Sequence, residues 1–267
     1  DHMGMHSSSY QSEVGILNGE FYFIAMDNDL CPDEGVCTNW EVFKTDGTEE
    51  GTAMVKAIRT GDSGSNSPNI ITAPYNGELY FKGSDGTHGD ELWKTDGTEE
   101  GTVMVKNIAN TSDTYNSHPY EFQHFNGYLY FTADSGNYCH QGGKGKELWR
   151  TDGTTNGTYR VTALSSGSDG LVAPGLPFGG SIIFVGDADW QSPTGDTGKE
   201  LYKYNPSTNE TTILKDFEEG SDDSNVQIKF VVNDKIVFSL TTEEYGPSLW
   251  TTDGTEEGIS LLFDPDG

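Results

Sequence analysis

The chain has 267 residues, of which 33% are hydrophobic and 12% aromatic, and glycine occurs 34 times. This composition favours many short strands joined by glycine turns over long helices. The 43 acidic residues against 15 basic ones give a net charge of −28, so the surface repels nucleic acid and anionic lipid and attracts cations. No apolar run approaches the ~20 residues that cross a bilayer. We therefore expect neither a nucleic-acid partner nor a membrane span.

Residues 1–9 form a polar N-terminal arm, which we expect to be extended. Two imidazoles and two thioethers lie in it, at His2, Met3, Met5 and His6. Imidazole and thioether are ligand types that suit copper, and the thioethers favour the cuprous ion. A His-Met pair at the start of a chain is also what a cloning scar leaves. A native copper site and a cloning remnant are therefore both open interpretations.

From residue 10 onward the chain consists of five related units. The segment ELWKTDGTEEGTVMVKNI (91–108) closely matches WEVFKTDGTEEGTAMVKAI (40–58), and looser copies begin at Glu147, Glu200 and Ser248. The turn in each copy opens on an aspartate or asparagine, at Asp46, Asp96, Asp152, Asn205 and Asp253. These positions are 50, 56, 53 and 48 residues apart. Such a period is typical of the blades of a β-propeller.

Each unit is predicted to contain four antiparallel strands. A two-residue turn such as Asn76-Gly77 joins the first two strands, because a type I′ turn needs positive φ at both central residues. The DGTEEGT turn joins the last two strands, with the aspartate bonded to the backbone downstream. A single meander leaves both faces uncovered, and stacking consecutive copies around an axis covers them.

We therefore predict an all-β fold, a five-bladed β-propeller of four-stranded antiparallel blades, in preference to an open β-solenoid with shorter rungs. The propeller forms one domain over residues 10–267. Its blades are expected at about 10–58, 66–108, 117–164, 171–217 and 225–264.

The ELWxTDGTxxGT run with its upstream NGxLYF resembles the ELWxxDGT-repeat proteins, a family of exported, β-propeller-like proteins. The resemblance spans all five units and is specific in three of them. The fourth unit, with KYNPSTNET, lacks the aspartate and glycine of the turn, and the fifth has Ser248 in place of the leading glutamate. The resemblance implies a secreted or cell-surface location and a surface or matrix component without a defined reaction.

Three cysteines and three sequons bear on an extracellular location. Cys31 and Cys37 flank a short loop, and an oxidising compartment favours a disulfide between them, with two free thiols as the alternative. Cys139 is then left over. The triplets that could carry glycans in an exported chain begin at Asn110, Asn156 and Asn209, although such triplets also arise by chance.

Three acidic loops are candidate calcium sites, because calcium takes several hard oxygens from a short segment. The first contains Asp27, Asp29, Asp33 and Glu34. The other two contain Asp187 with Asp189, and Asp222 with Asp223. The alternative interpretation for each is a solvated acidic loop. The loops between the second and third strands vary most in length, and variable loops on a rigid scaffold are where binding usually occurs.

No nucleophile, metalloprotease or phosphate-binding motif occurs. The leading hypothesis is a non-catalytic extracellular structural or adhesive protein that self-associates, with the N-terminal arm docked on a neighbouring subunit and metal ions assisting, and with a filament as one form of the assembly. The first alternative is a lectin-like propeller that binds extracellular polysaccharide, with Trp190 as the sugar platform. The second is a polysaccharide-active enzyme that uses Tyr138 and His140.

Overall fold

The computed structural model describes residues 15–26, 40–58, 74–109, 115–135, 145–164, 170–189, 196–218 and 223–265. Within these residues every regular element is a β-strand. In the described part of the chain no helix is long and apolar enough to cross a membrane.

The strands form five antiparallel sheets in chain order. The first contains β1 (Gly15–Leu17), β2 (Glu20–Met26), β3 (Trp40–Thr45) and β4 (Ala53–Lys56). The second contains β5 (Leu79–Gly83), β6 (Glu91–Thr95) and β7 (Val103–Lys106). The third contains β8 (Tyr120–Phe125), β9 (Tyr128–Asp134), β10 (Lys146–Thr151) and β11 (Tyr159–Arg160). The fourth contains β12 (Leu171–Phe178), β13 (Ser181–Ala188), β14 (Gly198–Asn205) and β15 (Glu210–Lys215). The fifth contains β16 (Gln227–Val232), β17 (Lys235–Thr242), β18 (Gly246–Thr252) and β19 (Ser260–Phe263).

The prediction of an all-β chain with five antiparallel sheets is confirmed, and the closed ring needs correction. In the second sheet three strands lie among the described residues, and Tyr75, at the end of the expected first strand, forms an isolated bridge with Glu78. Residues 66–73, which were expected to lead into that strand, lie outside the described residues. The sheets are open, each ending in two edge strands, and the structure does not show a closed propeller.

The tight hairpins follow from residues that accept positive φ. Asn76 has a φ of 53° and Gly77 one of 78°, and Asn233 and Asp234 have values of 47° and 56°. Both central residues of a type I′ turn require this region, and the turn matches the twist of the flanking strands. The sequence prediction of these turns is therefore confirmed in backbone geometry.

By compactness the chain divides into two units. Unit 1 contains residues 1–124, 133–137 and 151–158, and unit 2 contains residues 125–132, 138–150 and 159–267. In unit 1 one core cluster joins the first and second sheets, with Leu17, Tyr22, Ile24, Val42, Val55, Leu79, Phe81 and Trp93. In unit 2 one cluster joins the fourth and fifth sheets, with Ile183, Val185, Leu201, Leu214, Val226, Ile236, Phe238 and Leu240. Consecutive sheets thus bury apolar faces against each other.

The DGT turn is held by its own side chains. Asp96 Oδ1 accepts hydrogen bonds from the amide (2.9 Å) and the hydroxyl (2.7 Å) of Thr98, and these bonds lower the pKa of Asp96. The Thr98 hydroxyl also accepts a bond from the Gly101 amide at 2.9 Å. The same pattern recurs around Asp46, Asp152 and Asp253. The repeated motif therefore forms a turn that its own side chains stabilise, which is a structural role.

The glycine that follows the turn-opening aspartate shows how closely the first sheet approaches the DGT turn of the second sheet. Gly47 and Gly97 occupy equivalent positions with φ of +94° and +92°. A Cβ on Gly47 would meet nothing within 4 Å, whereas one on Gly97 would overlap the hydroxyl of Tyr22. We expect Gly47→Ala to cost about 1 kcal/mol of unfolding free energy through backbone strain. Gly97→Ala should cost about 1–3 kcal/mol more through overpacking.

Urea unfolding of both variants measures this difference. Tyr22→Phe in the Gly97→Ala background removes the hydroxyl and should recover part of the additional loss. Equal losses for the two alanine variants would contradict the contact between Tyr22 and the second turn.

Candidate functional site

Four of the five repeats have a fully buried glutamate at or near the start of the third strand. Glu41, Glu91, Glu147 and Glu200 each have 0% exposure. A buried carboxylate is costly unless hydrogen-bond donors surround it. These glutamates therefore have a structural or functional role beyond strand formation.

Glu91 shows what that role is. Its Oε2 accepts bonds from the Ile108 amide and the Ser117 hydroxyl, both at 2.7 Å, and its Oε1 accepts one from the Ala109 amide at 3.1 Å. Ile108 and Ala109 follow the last strand of the second sheet, and Ser117 precedes the first strand of the third. One side chain thus ties the end of one sheet to the beginning of the next. We call Glu91 with these partners a glutamate clamp.

The clamp recurs, in whole or in part, in three other repeats. Glu200 Oε2 accepts bonds from the Phe217 amide at 3.1 Å and the Ser224 hydroxyl at 2.9 Å. Glu147 accepts bonds from the Leu164 amide and the Thr162 hydroxyl, and Glu41 accepts one from the Ile58 amide. The leading glutamate of the repeat therefore recognises the segment that leaves its own sheet.

Burial raises the pKa of Glu91 and of Glu200 to about 7, although their hydrogen-bond donors oppose the shift. At Glu200, repulsion from Asp216 adds to the increase, and the buried Oε1 has no hydrogen-bond partner. Each of these two clamps therefore changes its protonation near neutral pH.

A polar cluster surrounds the residue immediately before the clamp in unit 1. Asp90 is 2% exposed, its carboxylate lies 3.6 Å from Lys82 Nζ and 3.2 Å from His118 Nδ1, and its Oδ1 has no hydrogen-bond partner. The Asp90 amide donates to Asn116 Oδ1 at 2.7 Å. His118 has a φ of 43°, in the left-handed region that costs a residue with a Cβ. We call these four residues the Asp90 cluster.

A second imidazole lies on the loop that leads to Asp90, between β5 and β6. His88 Nδ1 is 2.8 Å from Asp85 Oδ2, and the His88 amide donates to Asp85 Oδ1 at 2.7 Å. Burial of Asp85 opposes the shift, but these bonds and that from Thr87 lower the pKa of its carboxyl. Both imidazoles are partly exposed and can hydrogen-bond a ligand. The sequence had marked this loop as variable but had not singled out its residues, because the pairing of Asp90 with residue 118 depends on tertiary contact.

The residue before Glu200 is Lys199, and it interacts with two of the predicted calcium loops. Lys199 Nζ pairs with Asp223, and the Lys199 amide donates to Asp223 Oδ1 at 3.0 Å. Burial raises the pKa of Asp187, with Lys199 opposing and with Asp223, Asp196 and Asp189 adding to the increase. The ammonium of Lys199 therefore already pairs with one carboxylate of this acidic group, that of Asp223. Among the described residues, no group of three or more histidine, cysteine, aspartate or glutamate side chains could hold a metal ion.

The remaining predicted site residues fall into two groups. In the described part, Asn156 is exposed in a DGT turn, and Asn209 is exposed and accepts a bond from the Tyr204 hydroxyl at 2.9 Å. The others lie outside the described residues: His2, Met3, Met5, His6, Asp27, Asp29, Cys31, Asp33, Glu34, Cys37, Asn110, Trp190 and Asp222. Copper binding, the disulfide, the first calcium loop and the sugar platform therefore stay predictions.

Comparison with known proteins adds a likeness in fold. No protein-family model and no curated protein matches the chain. A prolyl endopeptidase structure aligns at a TM-score of 0.51 and 11% identity, over 92% of this chain and 34% of its own. A mutant puromycin hydrolase complexed with PGG aligns at 0.43 and 17%, over 85% and 33%. The chain spans about a third of the length of these solved chains, and the first likeness shows a β-propeller-like all-β fold.

Titration of Glu200 predicts a pH dependence of stability. Its folded pKa of about 7 lies above its ordinary value of 4.5, so its favourable contribution is complete below pH 4.5 and is lost as the pH rises through 7. Glu200→Gln keeps an oxygen for Phe217 and Ser224 but does not titrate. We expect the wild type to lose about 2–3 kcal/mol more than this variant between pH 5 and pH 8.

Urea unfolding at the two pH values, followed by tryptophan fluorescence, measures the difference. Glu99→Gln, in an exposed turn, is the control and should follow the wild type. Parallel profiles for the wild type and Glu200→Gln would contradict the raised pKa.

Proposed function

We propose that this chain is a non-catalytic, extracellular structural or adhesive protein that associates with copies of itself. The resemblance to exported repeat proteins supports the location. The glutamate clamps support a rigid, repetitive scaffold, because each ties one sheet to the segment that follows it. The likeness to a solved peptidase supports a propeller-like arrangement of the sheets and carries no activity at 11% identity.

The observation that carries self-association is the surface of the fifth sheet. Both of its edge strands expose large apolar side chains by 41–58%: Phe230, Val231, Val232, Leu261, Leu262 and Phe263. Two runs of three consecutive exposed apolar residues are unusual on a chain of net charge −28, and exposed apolar clusters mark interaction surfaces. Such a surface loses its unfavourable contact with water when another apolar face covers it.

Other elements of the proposal come from the sequence. The N-terminal arm would reinforce the contact, and calcium or copper would reduce the repulsion between acidic subunits. A ring closed within one chain is the competing arrangement, in which the first and fifth sheets would cover each other. The lectin-like and enzymatic alternatives depend on Trp190 and on Tyr138 with His140, which lie outside the described residues.

Self-association should depend on salt in a characteristic direction. Two chains of charge −28 repel each other, and salt screens this repulsion while leaving apolar contact intact. We therefore expect the average mass in sedimentation velocity to rise with protein concentration and with sodium chloride. A chain that stays monomeric at all concentrations in high salt would contradict the proposal.

Chelation and truncation separate the contributions. EDTA, followed by calcium or copper, should lower and then restore association if metal ions assist it, and removal of residues 1–9 should lower it if the arm docks. Association that is unchanged by both would remove the metal and the arm from the proposal and leave the apolar contact.

A further inference from the structure

In four of the five sheets the last strand carries an apolar residue at one repeated position. This residue lies where the register between the last two strands shifts. The residue just before it pairs with the aromatic residue of the third strand. In the first, second and fourth sheets these residues are Val55, Val105 and Leu214, with exposures of 8%, 3% and 6%. The equivalent residue of the fifth sheet, Leu262, is 58% exposed.

Packing against the next sheet explains the low exposure of Val55 and Leu214. Val55 belongs to the core cluster that contains Leu79 and Phe81 of the second sheet. Leu214 belongs to the cluster that contains Ile236 and Phe238 of the fifth sheet. The exposure of Leu262 therefore marks a donor face, formed by β19 of the fifth sheet, that has the chemistry of an inter-sheet contact but no sheet covering it.

On the second strand of each repeat, one apolar position is buried where another sheet precedes it and exposed in the first sheet. The first core residue of this strand pairs with the residue just before the turn-opening Asp or Asn. Leu79, Ile182 and Ile236 occupy this position in the second, fourth and fifth sheets, and each is 0% exposed. Phe21 occupies it in the first sheet and is 48% exposed.

The neighbours of Phe21 extend the same surface. Ile16 on β1 pairs directly with Phe21 and is 50% exposed. Phe23, two residues along β2, lies on the same side of the strand and stacks on Phe43 with ring centroids 5.7 Å apart. Ile16, Phe21 and Phe23 therefore form an acceptor face, equivalent to the faces that receive the preceding sheet elsewhere in the chain.

We propose that the donor face of one copy packs against the acceptor face of a second copy, which deepens, and rests on, the proposed self-association. The two faces are complementary because each has, in the other repeats of this chain, a partner of the type that the other provides. Both are exposed in the single chain, so a second copy is the occupant that matches them without a new kind of contact. Because the donor and acceptor are different surfaces, the contact is head-to-tail and leaves one of each free at the ends of every open assembly.

Two charge substitutions test this arrangement. Leu262→Asp places a carboxylate on the donor face, and Phe21→Asp places one on the acceptor face. Burial of an unpaired charge is strongly unfavourable, so each variant alone should associate at least about tenfold more weakly than the wild type. An equimolar mixture should form a one-to-one dimer and nothing larger, because each variant retains the face that the other has lost.

The matched control is Val103→Asp, which changes an apolar residue of similar position on β7 with 37% exposure and belongs to neither face. It should associate like the wild type. Thermal unfolding of every variant checks the fold, and Ile16→Asp replaces Phe21→Asp if the latter shifts the midpoint.

The outcomes separate the pairing from the proposed function. A wild type that does not associate overturns both. A wild type that associates while neither Leu262→Asp nor Phe21→Asp weakens it overturns the pairing and keeps self-association. Weakening by Leu262→Asp alone indicates contact between two fifth sheets and also overturns the pairing, as does a mixture that forms no dimer.

Discussion

The structure depends on one repeated contact, the buried glutamate that accepts hydrogen bonds from the backbone leaving its own sheet. In two units the carboxylate also binds a serine that leads into the next sheet, Ser117 for Glu91 and Ser224 for Glu200. Several donors around one carboxylate offset the cost of its burial, whereas an unsatisfied carboxylate would be strongly destabilising. The glutamate therefore specifies where one sheet ends and in which position the next begins.

The clamp explains why polar diversity appears directly beside it. The residue before the glutamate is held by the same serine, since the Ser117 hydroxyl also donates to the Asp90 carbonyl and that of Ser224 to the Lys199 carbonyl. This residue is therefore rigidly placed while its side chain is free to vary. Before Glu91 it is an acid, Asp90, whose carboxylate contacts Lys82 and His118. Before Glu200 it is Lys199, which pairs with Asp223.

The ends of the repeat array follow a different rule from its interior. Core clusters join the first sheet to the second and the fourth sheet to the fifth, so the core residues in these clusters are covered by a neighbouring sheet. The first and fifth sheets each expose apolar positions that are buried elsewhere, with Phe21 at 48% and Leu262 at 58%. Repeat proteins usually place polar residues on such terminal faces. Retention of apolar residues there is the basis of the proposed self-association.

The sequence by itself determined the class of the fold, the number of sheets and the turns between strands, because period, strand alternation and positive-φ residues are local properties. It also drew attention to the loops around Asp187 and Asp223, but it could not show that Lys199 pairs with one of them. Only the tertiary structure decided that the leading glutamate is buried, that Asp90 meets His118, and that Phe21 and Leu262 are exposed. Burial and pairing depend on which residues meet across sheets, and this information lies in no single segment of the chain.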